Sequence, residues 1–132
     1  MKNIILYMLI FCGTAYADLR SAADSIKLEI EENPNNFKSY FDLGLCYIAI
    51  DEYEEALTAF ERTLELNSEY ILAKYKIALV YYVMDSLEIA KLKFEELRKI
   101  YADKENVGNW LRTIHLRCGM IYALGDMGSN LE

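Results

Sequence analysis

Apolar side chains recur every three or four positions along most of this chain, and short polar runs separate the periodic segments. This spacing places the apolar side chains on one face of an α-helix. We therefore expect an all-α protein with about six helices, the first of them in the apolar N-terminal segment. The other predicted helices cover 18–33, 37–50, 53–66, two segments between 69 and 101, and 108–124.

Small and aromatic residues in the middle of the chain return after 34 positions. Gly44 and Ala78 are small residues at matching places, and Phe60 and Phe94 are matching aromatic residues. Small residues let two helices approach closely, while aromatic rings fill the space between neighbouring helices. A repeat of this length is typical of stacked helical hairpins. The matching positions are 44 and 78, 47 and 81, 56 and 90, and 60 and 94.

This pattern resembles the tetratricopeptide repeat (TPR), whose consensus is Trp-x2-Leu-Gly-x2-Tyr, then Ala-x3-Phe, then Pro. The first unit departs from it at Tyr40 and Ser68, which stand in the tryptophan and proline places. The second unit departs from it at Lys74, Ala78 and Ala102. The resemblance implies a right-handed TPR-like helical-hairpin solenoid. The solenoid would form one domain over 18–132. Its segments would be an N-terminal helix at 18–33, repeat 1 at 37–66, repeat 2 at 69–101 and a C-terminal capping helix at 108–124.

The turns inside the two predicted hairpins also match. Asp51 precedes the second helix of repeat 1, with Glu54 three positions later, and Asp85 and Glu88 stand 34 positions further on. An acidic residue followed by glutamate at this spacing is typical of a helix N-terminal capping box. We therefore expect Asp51 and Asp85 to cap the helices that follow them.

The first 17 residues have the features of a secretory signal peptide in the usual order. Lys2 is a positive start, residues 4–12 form an apolar run, and a small-residue motif ends at Ala17. The uncharged stretch is short for a membrane-spanning helix, which needs about 20 residues. We expect cleavage after Ala17 and an exported bacterial protein, periplasmic or secreted.

Two alternatives to the signal peptide remain open. In one, the segment is an N-terminal core helix. In the other, Cys12 carries a lipid that anchors the chain to a membrane. Phe11 departs from the small residue that precedes the cysteine in bacterial lipoprotein signals. Contact with a membrane is otherwise expected only through a partner.

The chain is acidic, with 14 basic and 21 acidic residues and a net charge of −7. An acidic surface repels phosphate backbones and anionic lipids, which argues against nucleic acid as a partner. Cys46 and Cys118 would remain after cleavage and either pair or stay free.

The search for catalytic chemistry finds little. His115 is the only histidine and has no nucleophile–base pair near it in the sequence. Cys46, His115 and Cys118 have no recognised zinc spacing. No glycine-rich phosphate loop is present. We expect no enzyme activity, no cofactor and no metal.

Family members commonly bind peptides or partner helices along a concave groove lined by the first helix of each repeat. Carried over by position, the resemblance implies an apolar, aromatic groove, and the lysine and asparagine that grip a C-terminal carboxylate in some members are missing. The groove residues are Lys38, Phe41, Leu45 and Ile48 from repeat 1 and Leu72, Tyr75, Leu79 and Tyr82 from repeat 2.

Two occupants of this groove are open at this point, a helix or extended peptide of a partner protein and the chain's own 108–124 helix. We expect a non-catalytic adaptor or scaffold in a periplasmic or cell-envelope assembly. The alternative is a self-associating structural subunit, a homo-oligomer, of a larger envelope complex.

Overall fold

The structure, a computed structural model, describes residues 2–101, with side chains for residues 13–100. These residues form five α-helices and no strand, so the all-α fold is confirmed for this part of the chain. The helices fall into two compact units that divide between Tyr70 and Ile71. The predicted capping helix at 108–124 lies outside the described residues. The helices are α1 (Lys2–Glu32), α2 (Phe37–Ala49), α3 (Tyr53–Leu66), α4 (Ile71–Val83) and α5 (Leu87–Tyr101).

Helix α1 runs without a break through both the apolar N-terminal segment and the predicted helix at 18–33. Within residues 13–100, no helix is both long enough and apolar enough to cross a membrane. The proposed cleavage after Ala17 stays a prediction.

Unit 1 contains a hairpin of α2 and α3 held together at Gly44. Its backbone lies so close to the ring of Phe60 that an added Cβ atom would be 2.5 Å from a ring carbon. Phe60 is fully buried. Its ring packs against that of Phe41, with a centroid distance of 5.5 Å, and Phe41 in turn packs against Tyr70 at 5.1 Å. The small residue at position 44 therefore sets how closely the two helices approach.

Helix α1 packs against α2, and its side chains also bond to the turn between α2 and α3. Ala23 is fully buried. Arg20 donates two hydrogen bonds to the carboxylate of Glu52, at 2.6 and 3.1 Å. At the other end, the Ser39 hydroxyl donates to Glu29 at 3.5 Å. The ammonium group of Lys27 lies 5.8 Å from the centroid of the Tyr47 ring.

Unit 2 contains a second hairpin, of α4 and α5, with the same internal packing. Tyr75 and Phe94 pack edge to face with a centroid distance of 5.9 Å. Ala78, Ala90 and Phe94 are fully buried. These positions lie 34 residues after Phe41, Phe60, Gly44 and Ala56, so each hairpin builds its core from equivalent residues. The predicted repeat is confirmed at the level of individual contacts.

The prediction that Asp51 caps α3 is wrong. The residue at the N-cap of α3 is Glu52, and its side chain makes no capping hydrogen bond. Asp51 has a φ of 59°, in the left-handed region, and the N–H groups of Asp51 and Glu52 donate to the carbonyls of Ile48 and Tyr47. This is a Schellman motif, which ends α2 instead of starting α3.

The same correction applies to Asp85. It also has a φ of 59°, and the N–H groups of Asp85 and Ser86 donate to the carbonyls of Tyr82 and Tyr81. Aspartate tolerates the left-handed conformation better than most residues other than glycine, because its short polar side chain can bond locally. The matching aspartates are therefore a genuine repeated feature with a different role from the one predicted.

Candidate binding surface

The exposed face of α2 is a stripe at helical spacing, which we call the α2 face. Lys38, Asp42 and Ala49 are exposed, and Leu45 between them is half-buried. Residues 38, 42, 45 and 49 recur every three or four positions, so they share one side of the helix. The α2 face combines an apolar centre with one cation and one anion.

Helix α4 has an equivalent stripe in unit 2, the α4 face, made of Leu72, Lys76, Leu79 and Val83. Each residue lies 34 positions after its counterpart on α2. Val83 is 53% exposed. The other three are half-buried, and Leu79 also packs against the core of unit 2. The α4 face is more apolar than the α2 face, and its single charge is positive.

Two of the eight predicted groove residues belong to the cores of their units. Phe41 is 8% exposed and Tyr75 is 9% exposed, and they pack against Phe60 and Phe94 respectively. Ile48 and Tyr82 are half-buried, and Tyr82 also packs against the core of unit 2. Lys38, Leu45, Leu72 and Leu79 lie on the two faces defined above. The groove as a whole stays a prediction.

Sequence reasoning overlooked Asp42 and Lys76. Both occur at helical spacing from residues already placed in the groove, four positions after Lys38 and Leu72. This spacing could have shown that Asp42 and Lys76 share a helix face with the predicted groove residues. The two charges make the faces unlike each other, because Asp42 is replaced by a cation at the matching position of α4.

Cys46 lies next to the α2 face and is half-buried. Burial of the thiol, together with the nearby negative charge of Asp42, raises the pKa of Cys46 above its ordinary value. A raised thiol pKa keeps the sulfur protonated and a poor nucleophile at neutral pH. The other two residues considered as zinc ligands, His115 and Cys118, lie outside the described residues.

Metal-binding side chains do not converge in the described part of the chain. Within residues 13–100, no group of three or more histidine, cysteine, aspartate or glutamate side chains is placed to hold a metal ion.

Unit 1 also contains a cleft of about 450 Å³ between α2 and α3, which we call the acidic cleft. Its α2 residues face the opposite side of the helix from the α2 face, as their positions around the helix require. The guanidinium of Arg62 lies 5.8 Å from the Tyr40 ring centroid and pairs with Glu65. The lining residues are Tyr40, Leu43, Tyr47, Glu55, Thr58, Ala59, Glu61, Arg62 and Glu65.

Repeated helical hairpins with an exposed stripe on each first helix define a class of repeat proteins that present binding surfaces. Within that class, the family model described as "Tetratricopeptide repeat" matches residues 37–70. Anaphase-promoting complex subunit 3 of Schizosaccharomyces pombe (strain 972 / ATCC 24843) is 31% identical over 77 residues, which cover 58% of this chain and 12% of that protein. The chain therefore contains a tetratricopeptide repeat, and it spans a small part of the length of this relative.

Solved structures show the same fold. The Yersinia enterocolitica type III secretion chaperone SycD, in complex with a peptide of the translocator YopD, has a TM-score of 0.73 at 14% identity, covering 91% of this chain and 92% of that chain. PcrH, in complex with the chaperone-binding region of PopD, has a TM-score of 0.72 at 16% identity, covering 91% and 90%. The predicted TPR-like fold is therefore confirmed.

Proposed function

We propose that this protein is a non-catalytic adaptor whose α2 face and α4 face each bind a helical or extended segment of a partner protein. The observation that carries the proposal is the exposed stripe at the same register on the first helix of each repeat. Leu45 on α2 and Val83 on α4 are apolar side chains left accessible next to charged ones. Apolar anchors flanked by charges suit recognition of a helix or an extended segment.

The charges on the two faces specify the partner further. Asp42 favours a cationic group on the segment that contacts the α2 face, whereas Lys76 favours an anionic group on the segment that contacts the α4 face. The apolar residues supply the contact area in both cases. We therefore expect an apolar segment with a basic residue at the α2 face and an apolar segment with an acidic residue at the α4 face.

The structural relatives support peptide binding as the general mode. SycD was solved with a peptide of the translocator YopD bound, and PcrH was solved with the chaperone-binding region of PopD bound. Their fold matches that of this chain, while their sequences are too different to transfer a partner.

We place the adaptor in the periplasm or another part of a bacterial cell envelope, on the strength of the signal-like features of residues 1–17. Mass measurement of the purified protein tests this placement. A mature N-terminus at Asp18 supports export by a cleaved signal, and a lipid on Cys12 supports an anchored protein instead. An intact N-terminus after expression in an export-competent bacterium contradicts both.

Partner capture with matched variants tests the binding surface. Leu45→Glu and Leu72→Glu each add a charge to one face, and Leu28→Glu is the control, because Leu28 is 62% exposed on α1. We expect the first two variants to lose a partner that the wild type and Leu28→Glu retain. Circular dichroism must show equal helix content in all three. Retention of the partner by Leu45→Glu and Leu72→Glu would contradict the proposed surface.

A self-associating structural subunit is the second candidate function. The observation that favours it is the exposure of large apolar residues on α5, where Leu92 is 63% exposed.

A further inference from the structure

Charge is distributed unequally between the two units. Residues 18–70 carry 13 acidic and four basic side chains, whereas residues 71–101 carry four acidic and six basic ones. The first stretch is therefore strongly negative and the second is weakly positive. Unlike net charges on two parts of one chain favour contact between the negative part of one copy and the positive part of another.

The acidic cleft of unit 1 has the lining of a docking site. Its floor is apolar and aromatic, formed by Tyr40, Leu43 and Tyr47. Its rim contains Glu55, Glu61 and Glu65 against a single cation, Arg62, which is paired with Glu65. A segment that fits this lining has large apolar side chains with basic residues beside them.

The outer face of α5 in unit 2 has that composition. Leu92 is its most exposed apolar residue, and Ile89 and Ile100 are also exposed. Lys93 comes directly after Leu92, and Lys99 comes directly before Ile100. Glu96 lies 3.6 Å from the Lys93 ammonium group. Helical spacing puts residues 89, 92, 96 and 100 on the side of α5 opposite the buried Ala90, Phe94 and Leu97.

We propose that the outer face of α5 of one copy docks in the acidic cleft of a second copy. The contact joins two different surfaces and is therefore heterologous, so each pair of copies retains one free cleft and one free α5 face. A symmetric contact through unit 1 is disfavoured, because it would bring two strongly acidic surfaces together. This association uses neither the α2 face nor the α4 face and does not depend on the adaptor function.

Sedimentation velocity of the full chain over a range of concentrations tests the proposal. We expect the mean mass to rise with concentration and the association to weaken with added salt, because salt screens exposed charges. A wild type that remains monomeric at every concentration and at low salt would overturn the proposal.

Two variants identify the surfaces. Glu55→Lys combined with Glu61→Lys reverses the rim of the cleft, and Leu92→Glu places an acid on α5. We expect each variant alone to self-associate at least about tenfold more weakly than the wild type. Leu28→Glu, the same change at an exposed leucine of α1, is expected to behave as the wild type.

Mixing the two variants shows whether each has lost only one contact surface or has unfolded. The cleft variant retains an intact α5 face and the α5 variant retains an intact cleft, so the mixture should form a one-to-one complex that grows no further. Self-association of either variant at the wild-type level would overturn the proposal, and so would a mixture that forms no complex.

Discussion

At the scale of single residues, Gly44 and Phe60 show how one contact sets the distance between two helices. The ring of Phe60 occupies the space that a side chain at position 44 would need. The sequence identified both residues through their repetition after 34 positions. It also predicted that they lie at a helix crossing, because small residues opposite aromatic rings suit close packing.

Enlarging or emptying this contact should destabilise the protein. We expect Gly44→Ala to lower the free energy of unfolding by about 1–3 kcal/mol through overpacking. We expect Phe60→Ala to lower it by about 3–5 kcal/mol through the cavity it leaves. Urea unfolding measures both changes. The double variant should lose little more than Phe60→Ala alone, because the ring that clashes is gone. Additive losses would show that the two residues are not in contact.

The left-handed aspartates lead to a prediction that distinguishes their observed role from helix capping. Asp51→Gly should be neutral or stabilising, since glycine adopts a φ of 59° without strain. Asp51→Val should lower the free energy of unfolding by roughly 1–2 kcal/mol, because a branched side chain is strained there. The same pair of changes at Asp85 should give the same order. Equal losses for glycine and valine in thermal unfolding would contradict the assigned backbone role.

The raised pKa of Cys46 should be visible in its alkylation rate. In a background with Cys12→Ser and Cys118→Ser, the rate should rise with pH toward a midpoint above that of the urea-unfolded chain. The direction follows because only the thiolate reacts and both burial and Asp42 disfavour it. Asp42→Asn should move the midpoint to lower pH. A folded midpoint below the unfolded one would contradict this account of the thiol.

At the scale of helices, periodicity predicted the α2–α3 hairpin closely. The expected helices at 37–50 and 53–66 are observed as Phe37–Ala49 and Tyr53–Leu66. The turns between them were predicted less well. The pattern Asp-x-x-Glu fits both a capping box and a left-handed residue at a helix end, and only the backbone angle distinguishes the two.

The Arg20–Glu52 pair links helix α1 to the α2–α3 turn. Removing the Arg20–Glu52 pair by Arg20→Met or Glu52→Gln should lower the melting temperature slightly at low salt. The difference should shrink at high salt, because an accessible ion pair is screened. The double variant should melt no lower than the less stable single variant. A salt-independent loss for both single variants would show that packing, not charge, explains the link.

At the scale of the whole molecule, the sequence predicted the repeat fold, but only part of the predicted groove lies on the exposed faces of α2 and α4. Phe41 and Tyr75 have the spacing of surface positions in the family pattern, yet their rings turn into the hairpin cores against Phe60 and Phe94. Spacing alone does not show which way a residue at the edge of a stripe will pack. Asp42 and Lys76 were overlooked for a different reason, because the positions carried over from the family do not include them, although both lie at helical spacing from residues that do.

The proposed adaptor function requires a partner protein to contact the exposed stripe of α2 and the exposed stripe of α4. Photocrosslinking from benzoylphenylalanine placed at Leu45, at Val83 and, as a control, at Leu28 tests it most directly. We expect positions 45 and 83 to crosslink to one partner protein and position 28 not to crosslink to it. Crosslinking to that partner from position 28 but from neither 45 nor 83 would contradict it.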